Sequence, residues 1–145
     1  MAKKILIHDL HQVLPLSHLP LPLVLECVSA GFPSPAEDYV EKHLDLNDYL
    51  IEHPAATFFM RVEGESMSGA GISSGDMLIV DRAATVYNNS IVVAQLDGEF
   101  TVKRFKKEGT TVFLVPENSD YSTIKITKDR DFEIWGVVTF VIHKA

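Results

Sequence analysis

The sequence contains one cysteine, Cys27, and no long uninterrupted apolar run in its 145 residues. A lone thiol builds neither an intramolecular disulfide nor a cysteine-based zinc site, and a reducing, cytoplasmic setting is the simplest one for it. The most apolar N-terminal stretch, Leu19 to Leu25, is broken by Pro20 and Pro22 and ends at Glu26. That is far short of the roughly 20 residues a membrane-spanning helix needs. Lys3 and Lys4 imitate the start of a secretory signal, but His8, Asp9, His11, Pro15 and His18 interrupt the apolar residues after them. Basic residues are scarce, with 13 Lys and Arg against 20 Asp and Glu and a formal charge of −7. Such a chain lacks the cationic face that phosphate neutralisation requires, which disfavours direct duplex binding. Glycine is absent before Gly31, whereas five of the seven prolines (Pro15, Pro20, Pro22, Pro33, Pro35) precede Ala36.

What remains is an ordinary folded composition, 46% hydrophobic and 23% charged, of a length that suits one domain plus a short tail. The prolines preclude a long helix over residues 1 to about 33 and favour extended backbone. Ile5, Leu6, Ile7, Val13, Leu14, Leu16, Leu19, Leu21, Leu23, Val24 and Leu25 make this segment apolar, either as an arm that lies on a surface or as an edge strand of the main fold. Ser34, Pro35 and Glu37 then form an N-cap, an N1 proline and an N3 acid, which predicts a helix. Tyr39, Val40, His43, Leu44, Asn47 and Leu50 or Ile51 continue it with near-helical spacing up to Pro54, with Asp45 as a break into two short helices.

From Thr57 the pattern changes to short β-rich runs between turn residues. Strands are predicted over Thr57–Val62, Met77–Asp81, Ser90–Leu96, Glu99–Phe105, Thr111–Val115, Lys125–Ile126 and Phe132–Ile142. Asp97-Gly98 marks a tight hairpin. The expected class is mainly β, antiparallel, with a short helical entry.

Two features could carry chemistry. The loop from Gly64 to Asp76 is dense in glycine and serine, yet lacks the Gly-Lys-Ser/Thr ending of a phosphate-binding loop. It also has Ser68 where a nucleophile elbow around Ser66 needs glycine, so residue types alone suit a surface turn. After the hairpin, alternation puts Thr101, Lys103 and Phe105 on one face. If that face points inward, Lys103 is desolvated, its pKa falls from about 10.4 and it becomes a possible general base. Otherwise Lys103 opens an exposed basic cluster with Arg104, Lys106 and Lys107. His8, His11, His18, His43, His53 and His143 have spacings too irregular for a metal site, and no cofactor is expected.

Gly64-Glu65-Ser66-Met67, Gly71-Ile72, Gly75-Asp76-Met77-Leu78-Ile79-Val80-Asp81, Asp97-Gly98-Glu99-Phe100-Thr101-Val102-Lys103-Arg104 and Pro116-Glu117-Asn118-Ser119 succeed one another in that order. Together they resemble the LexA-like self-cleaving serine peptidase family, over roughly residues 30 to 143. Ala30-Gly31-Phe32-Pro33-Ser34-Pro35-Ala36-Glu37-Asp38-Tyr39-Val40 is similar to the cleaved region of those members that act in SOS mutagenesis. The resemblance implies a peptidase fold of twisted antiparallel strands with an extended N-terminal arm. Residues 1–30 would be removed by self-cleavage at Ala30–Gly31, 31–54 would be a linker with a short helix, and 55–145 the catalytic β domain. It implies Ser66 as nucleophile, Lys103 as general base and then acid, and the Glu65 and Ser66 amides as oxyanion donors.

It further implies a homodimer, a RecA–single-stranded DNA filament as activator, and a UmuC-like subunit of an error-prone translesion polymerase, DNA polymerase V, as client. No direct sequence-specific DNA binding is implied, since repressor members carry a helix-turn-helix domain where this chain has thirty proline-broken residues. The competing readings are a non-enzymatic β-rich interaction subunit and a LexA-like regulator without a DNA-binding domain. The chemistry has its own demands: serine is a poor nucleophile until a base takes its proton, and a lysine can do so only when neutral.

Overall fold

The computed structural model describes residues 6–12, 18–25, 27–33 and 41–145. In chain order its elements are β1 (Leu6–Gln12), β2 (Pro20–Val24), β3 (Glu41–Asp45), α1 (Leu46–Leu50), β4 (Thr57–Glu63), β5 (Met77–Asp81), β6 (Ile91–Leu96), β7 (Glu99–Glu108), β8 (Thr111–Val115), β9 (Ile124–Lys125) and β10 (Phe132–Ile142). Every strand predicted from Thr57 onward is present. β7 runs three residues further than its apolar alternation suggested, because Lys106, Lys107 and Glu108 still pair with β8. All the strand pairs are antiparallel, as the class expectation required.

The chain forms two units, Pro15–Glu52 on one hand and Met1–Leu14 with His53–Ala145 on the other. In the larger one, eight strands lie in the order β1-β4-β5-β10-β6-β7-β8-β9. The β6–β7 hairpin turns through Asp97 and Gly98, both with positive φ (50° and 80°), the conformation that a two-residue turn demands. Met60, Val62, Met67, Ile72, Leu78, Val80, Val93 and Val102 form one buried cluster, and Val92, Ala94, Leu96, Leu114 and Val137 a second. Beside the first, Trp135 meets Phe58 and Phe100 edge-on at 5.1 and 5.9 Å and carries the Arg82 guanidinium 4.5 Å from its ring centroid. The buried carboxylates of Asp76, just before β5, and of Asp81, its last residue, take His143 and His53 respectively at 2.6 Å. No helix among the described residues is long and apolar enough to cross a membrane.

Of the two readings of the N-terminal segment, the edge strand holds for Leu6–Gln12, which pairs with β4. Pro20–Val24 instead pairs with β3 in the smaller unit. That pairing corrects the predicted helix: residues 41–45 are strand, not helix. Opposite β2, with Leu21 facing Leu44 and Pro22 facing His43, a segment of helical spacing is drawn into a ladder by a partner twenty residues upstream. Asp45 ends the strand and starts α1, accepting the Asn47 amide at 2.9 Å as an N-cap and the Leu19 amide at 2.9 Å across the hairpin. Burial pushes the Asp45 carboxyl up, but these two amides and the His18 ring outweigh it and hold the group below its usual range. The cap signature at Ser34, Pro35 and Glu37 lies outside the described residues.

Candidate active site

β4 delivers the chain to Ser66, and a series of backbone contacts fastens the glycine-rich loop beyond it. Gly75 donates its amide to the Val62 oxygen at 2.8 Å, Val62 donates to the Asp76 oxygen at 3.0 Å, and the Gly64 amide reaches Ser74 Oγ at 3.1 Å. Gly64, Gly71 and Gly75 all have φ between 78° and 108°, a region that side-chain-bearing residues avoid. Met67 and Ile72 are fully buried, and so is Ser66. The expectation of a plain surface turn is therefore overturned at these positions: the apolar anchors draw the loop inward and carry Ser66 with them.

Lys103 sits in β7 opposite Val92 and is 5% exposed, while Lys106 and Lys107 lie on the surface. The basic-cluster reading holds for those two and fails for Lys103. The Lys103 Nζ donates to Ser66 Oγ at 3.0 Å, to Thr101 Oγ1 at 2.7 Å and to the Val102 carbonyl at 3.1 Å. All three acceptors are neutral oxygens, so none offsets the loss of hydration with opposite charge. Burial accordingly lowers the Lys103 pKa from 10.5 to about 8, a bias against the charged form of about 3 kcal/mol.

The geometry suits a neutral amine. A neutral amine has two protons and one lone pair; with the protons on Thr101 Oγ1 and the Val102 carbonyl, the lone pair faces Ser66 Oγ. Thr101 shares the Lys103 face in the sequence alternation, yet nothing in the sequence assigned it this contact. Among the described residues the Glu65 and Ser66 amides donate no hydrogen bond, which leaves both expected oxyanion donors available. The Glu65 side chain is exposed.

A further set of residues escaped sequence reasoning. Pro116-Glu117-Asn118-Ser119 crosses the Ser66 loop: the Glu117 amide donates to the Ser66 oxygen at 2.9 Å, and the Gly69 amide donates to the Glu117 oxygen at 2.7 Å. A Cβ on Gly69 would stand 2.5 Å from that Glu117 oxygen, so the glycine is required by close approach of two backbones. Asn118 Nδ2 reaches the Glu65 oxygen at 2.8 Å. The only signal in the sequence was the motif itself, with no distance attached.

The sequence-predicted residues thus divide. Ser66, Lys103 and the two amides come together, whereas Ala30 and Gly31 belong to the smaller unit. There they are exposed, in a turn where Ser29 Oγ donates to the Phe32 oxygen and accepts the Gly31 amide. The Ala30–Gly31 bond therefore lies on the surface. His18, Asp45 and Asp48 bring ligand atoms within 4.8 Å of one another, but Asp45 Oδ1 caps α1 and Oδ2 takes the Leu19 amide and the His18 ring, so structural hydrogen bonds account for the cluster.

Comparison with known proteins agrees with the family resemblance. The chain is 49% identical over 124 residues to Protein SamA of Salmonella typhimurium strain LT2, covering 86% of each chain. It is 48% identical over 125 residues to Protein ImpA of Escherichia coli, covering 86% of this chain and 84% of that one. Protein MucA of Escherichia coli is 47% identical over 120 residues, 82% of each chain. A family model described as Peptidase S24-like matches residues 22–139. The protein therefore belongs to the Peptidase S24-like family of serine peptidases.

Proposed function

We propose that this protein is a UmuD-like, self-cleaving serine peptidase of the SOS response that cuts its own Ala30–Gly31 bond with a Ser66–Lys103 dyad. The observation that carries the reading is the 3.0 Å contact between Lys103 Nζ and Ser66 Oγ, in a buried site where, among the described residues, no carboxylate neutralises the amine. Neutral Lys103 takes the Ser66 proton as Oγ bonds to the Ala30 carbonyl carbon. The Glu65 and Ser66 amides receive the negative charge that develops on the carbonyl oxygen. The Ala30–Gly31 C–N bond then breaks, Lys103 gives the proton to the leaving Gly31 amine, and water hydrolyses the acyl-Ser66 ester.

Tethering the target bond to its own catalyst supports a slow dyad, because intramolecular effective concentrations reach about 10⁵–10⁸ M. A RecA–single-stranded DNA filament acts by favouring the arrangement that presents Ala30–Gly31 to Ser66, a population shift that adds no catalytic group. The cut removes residues 1–30, with two lysines against Asp9 and Glu26, and leaves the whole formal charge of −7 on residues 31–145. That acidic product works as a homodimeric accessory subunit beside a UmuC-like translesion polymerase rather than by gripping duplex DNA itself.

The test is mass spectrometry of purified protein incubated with and without activated filament, beside Ser66→Ala and Lys103→Ala. A fragment beginning at Gly31, produced faster with filament and by the parent alone, supports the reading. Equal cutting by Ser66→Ala refutes it.

A further inference from the structure

The peptide unit joining Glu65 to Ser66 is held from one side. Its carbonyl oxygen accepts Asn118 Nδ2 at 2.8 Å and the Ser68 amide at 3.2 Å. A trans peptide unit is planar, with C=O and N–H pointing in opposite directions, and no cis peptide bond occurs among the described residues. Fixing the Glu65 oxygen therefore fixes the direction of the Ser66 N–H. Asn118 is itself fixed, since its Oδ1 accepts the Asp120 amide at 3.0 Å. This contact settles which end of the side-chain amide is the donor. Two donors on one carbonyl also polarise the unit and strengthen its N–H.

The support for Asn118 leads to the strand that carries Lys103. Glu117, its neighbour, receives Arg104 Nε on a carboxylate oxygen at 2.6 Å, and the same guanidinium reaches the Asn89 oxygen at 2.6 Å. Arg104 adjoins Lys103 on β7 and pairs with Val115 of β8. A short tie thus runs from the strand of the amine, through residues 117 and 118, to the backbone of the serine. Asn118 Nδ2 also touches Ser68 Oγ at 3.3 Å, but its shorter contact, 2.8 Å, is to the unit whose N–H belongs to Ser66.

We propose that Asn118 is a positioning residue for peptide cleavage, holding the Glu65–Ser66 peptide unit so that the Ser66 N–H faces the oxyanion. The inference rests on Ser66 being the nucleophile, as proposed above. Asn118→Asp is the sharpest perturbation: it keeps an oxygen for the Asp120 amide at almost the same shape, but turns a second oxygen toward that of Glu65. Asn118→Ala removes the donor without adding charge.

First-order rate constants for appearance of the Gly31 fragment are measured from pH 6 to 10 for the parent and both variants, with Ser66→Ala as the blank and melting temperatures alongside. Both variants are expected to lower the high-pH plateau about 10- to 100-fold, short of the roughly 10²- to 10³-fold loss when an oxyanion donor is deleted outright. The midpoint of the Asn118→Ala profile stays at the parent value, and Asn118→Asp melts within a few degrees of the parent. Plateaus within twofold of the parent overturn the proposal. So does an Asn118→Ala midpoint that moves while the plateau is kept, because Asn118 would then act on Lys103. If Asn118→Asp does not fold, the Asn118→Ala profile decides. If the parent yields no more fragment than Ser66→Ala, the nucleophile reading fails first and this proposal falls with it.

Discussion

Self-cleavage should track the ionisation of Lys103. Its pKa of about 8 makes the neutral fraction on the order of 1% at pH 6, 9% at pH 7, one half at pH 8 and 90% at pH 9, from the tenfold-per-unit relation for a single site. The first-order rate constant should therefore rise about tenfold from pH 6 to 7 and about tenfold again from pH 7 to 9, then level off. The assay is purified protein without filament, sampled over time in buffers of constant ionic strength, with parent and Gly31 fragment quantified by mass spectrometry. Cys27→Ser, which removes the only thiol, should give the same curve. A flat profile refutes the assignment of Lys103 as base. A rate constant still climbing tenfold per unit through pH 10 refutes the desolvation account, since it returns Lys103 to the value of a lysine in water. If Lys103 is the base as proposed, cleavage near neutrality should run at roughly a tenth of its ceiling.

The same ionisation has a cost in stability. Because the folded pKa lies below the unfolded one, the fold carries the penalty of a buried ammonium below about pH 8 and sheds it as pH rises toward 10.5. Lys103→Met should abolish cleavage yet raise unfolding free energy at pH 6 by about 1–3 kcal/mol. The gain should vanish near pH 10, in urea melts monitored through the lone tryptophan, Trp135; a gain independent of pH refutes the penalty. Thr101→Val removes an oxygen that stabilises the charged amine more than the neutral one, so the midpoint of the cleavage profile should move to lower pH while its plateau falls several-fold. An upward shift contradicts the contact at 2.7 Å. Gly69→Ala sets a methyl against the Glu117 oxygen and should cost about 1–3 kcal/mol, lowering the melting temperature by several degrees; an unchanged melting temperature shows that the two backbones can part freely.

The β body was legible because its signals are local. Asp97-Gly98 needs only its own two dihedral angles, and the strand on either side of it alternates within a few residues. The contact between Ser66 and Lys103 was legible only through the order of several motifs, since what lowers the Lys103 pKa is burial, and burial depends on the neighbouring strand β6 and on the distant Ser66 loop. Residues 41–45 misled for the converse reason: His43, Leu44 and Asn47 are spaced for a helix, but β2 offers a ladder that no short window contains. Asn118 stands in a motif that gives it no visible role, because the role proposed for it is a direction in space, that of one N–H across a peptide plane.

β1 has a consequence for the product of the cut. Leu6–Gln12 is a strand of the body's own sheet, yet it precedes Ala30–Gly31 in the chain. Were that bond severed as proposed, a piece of the fold would become a ligand. Its hold on β4, formerly independent of how much protein is present, would then obey mass action, and dilution would favour its departure. On its leaving, Phe58 to Glu63 would become the rim of a seven-stranded sheet with vacant backbone donors and acceptors. A molecule cut as proposed should thus be capped in a concentrated solution and open in a dilute one.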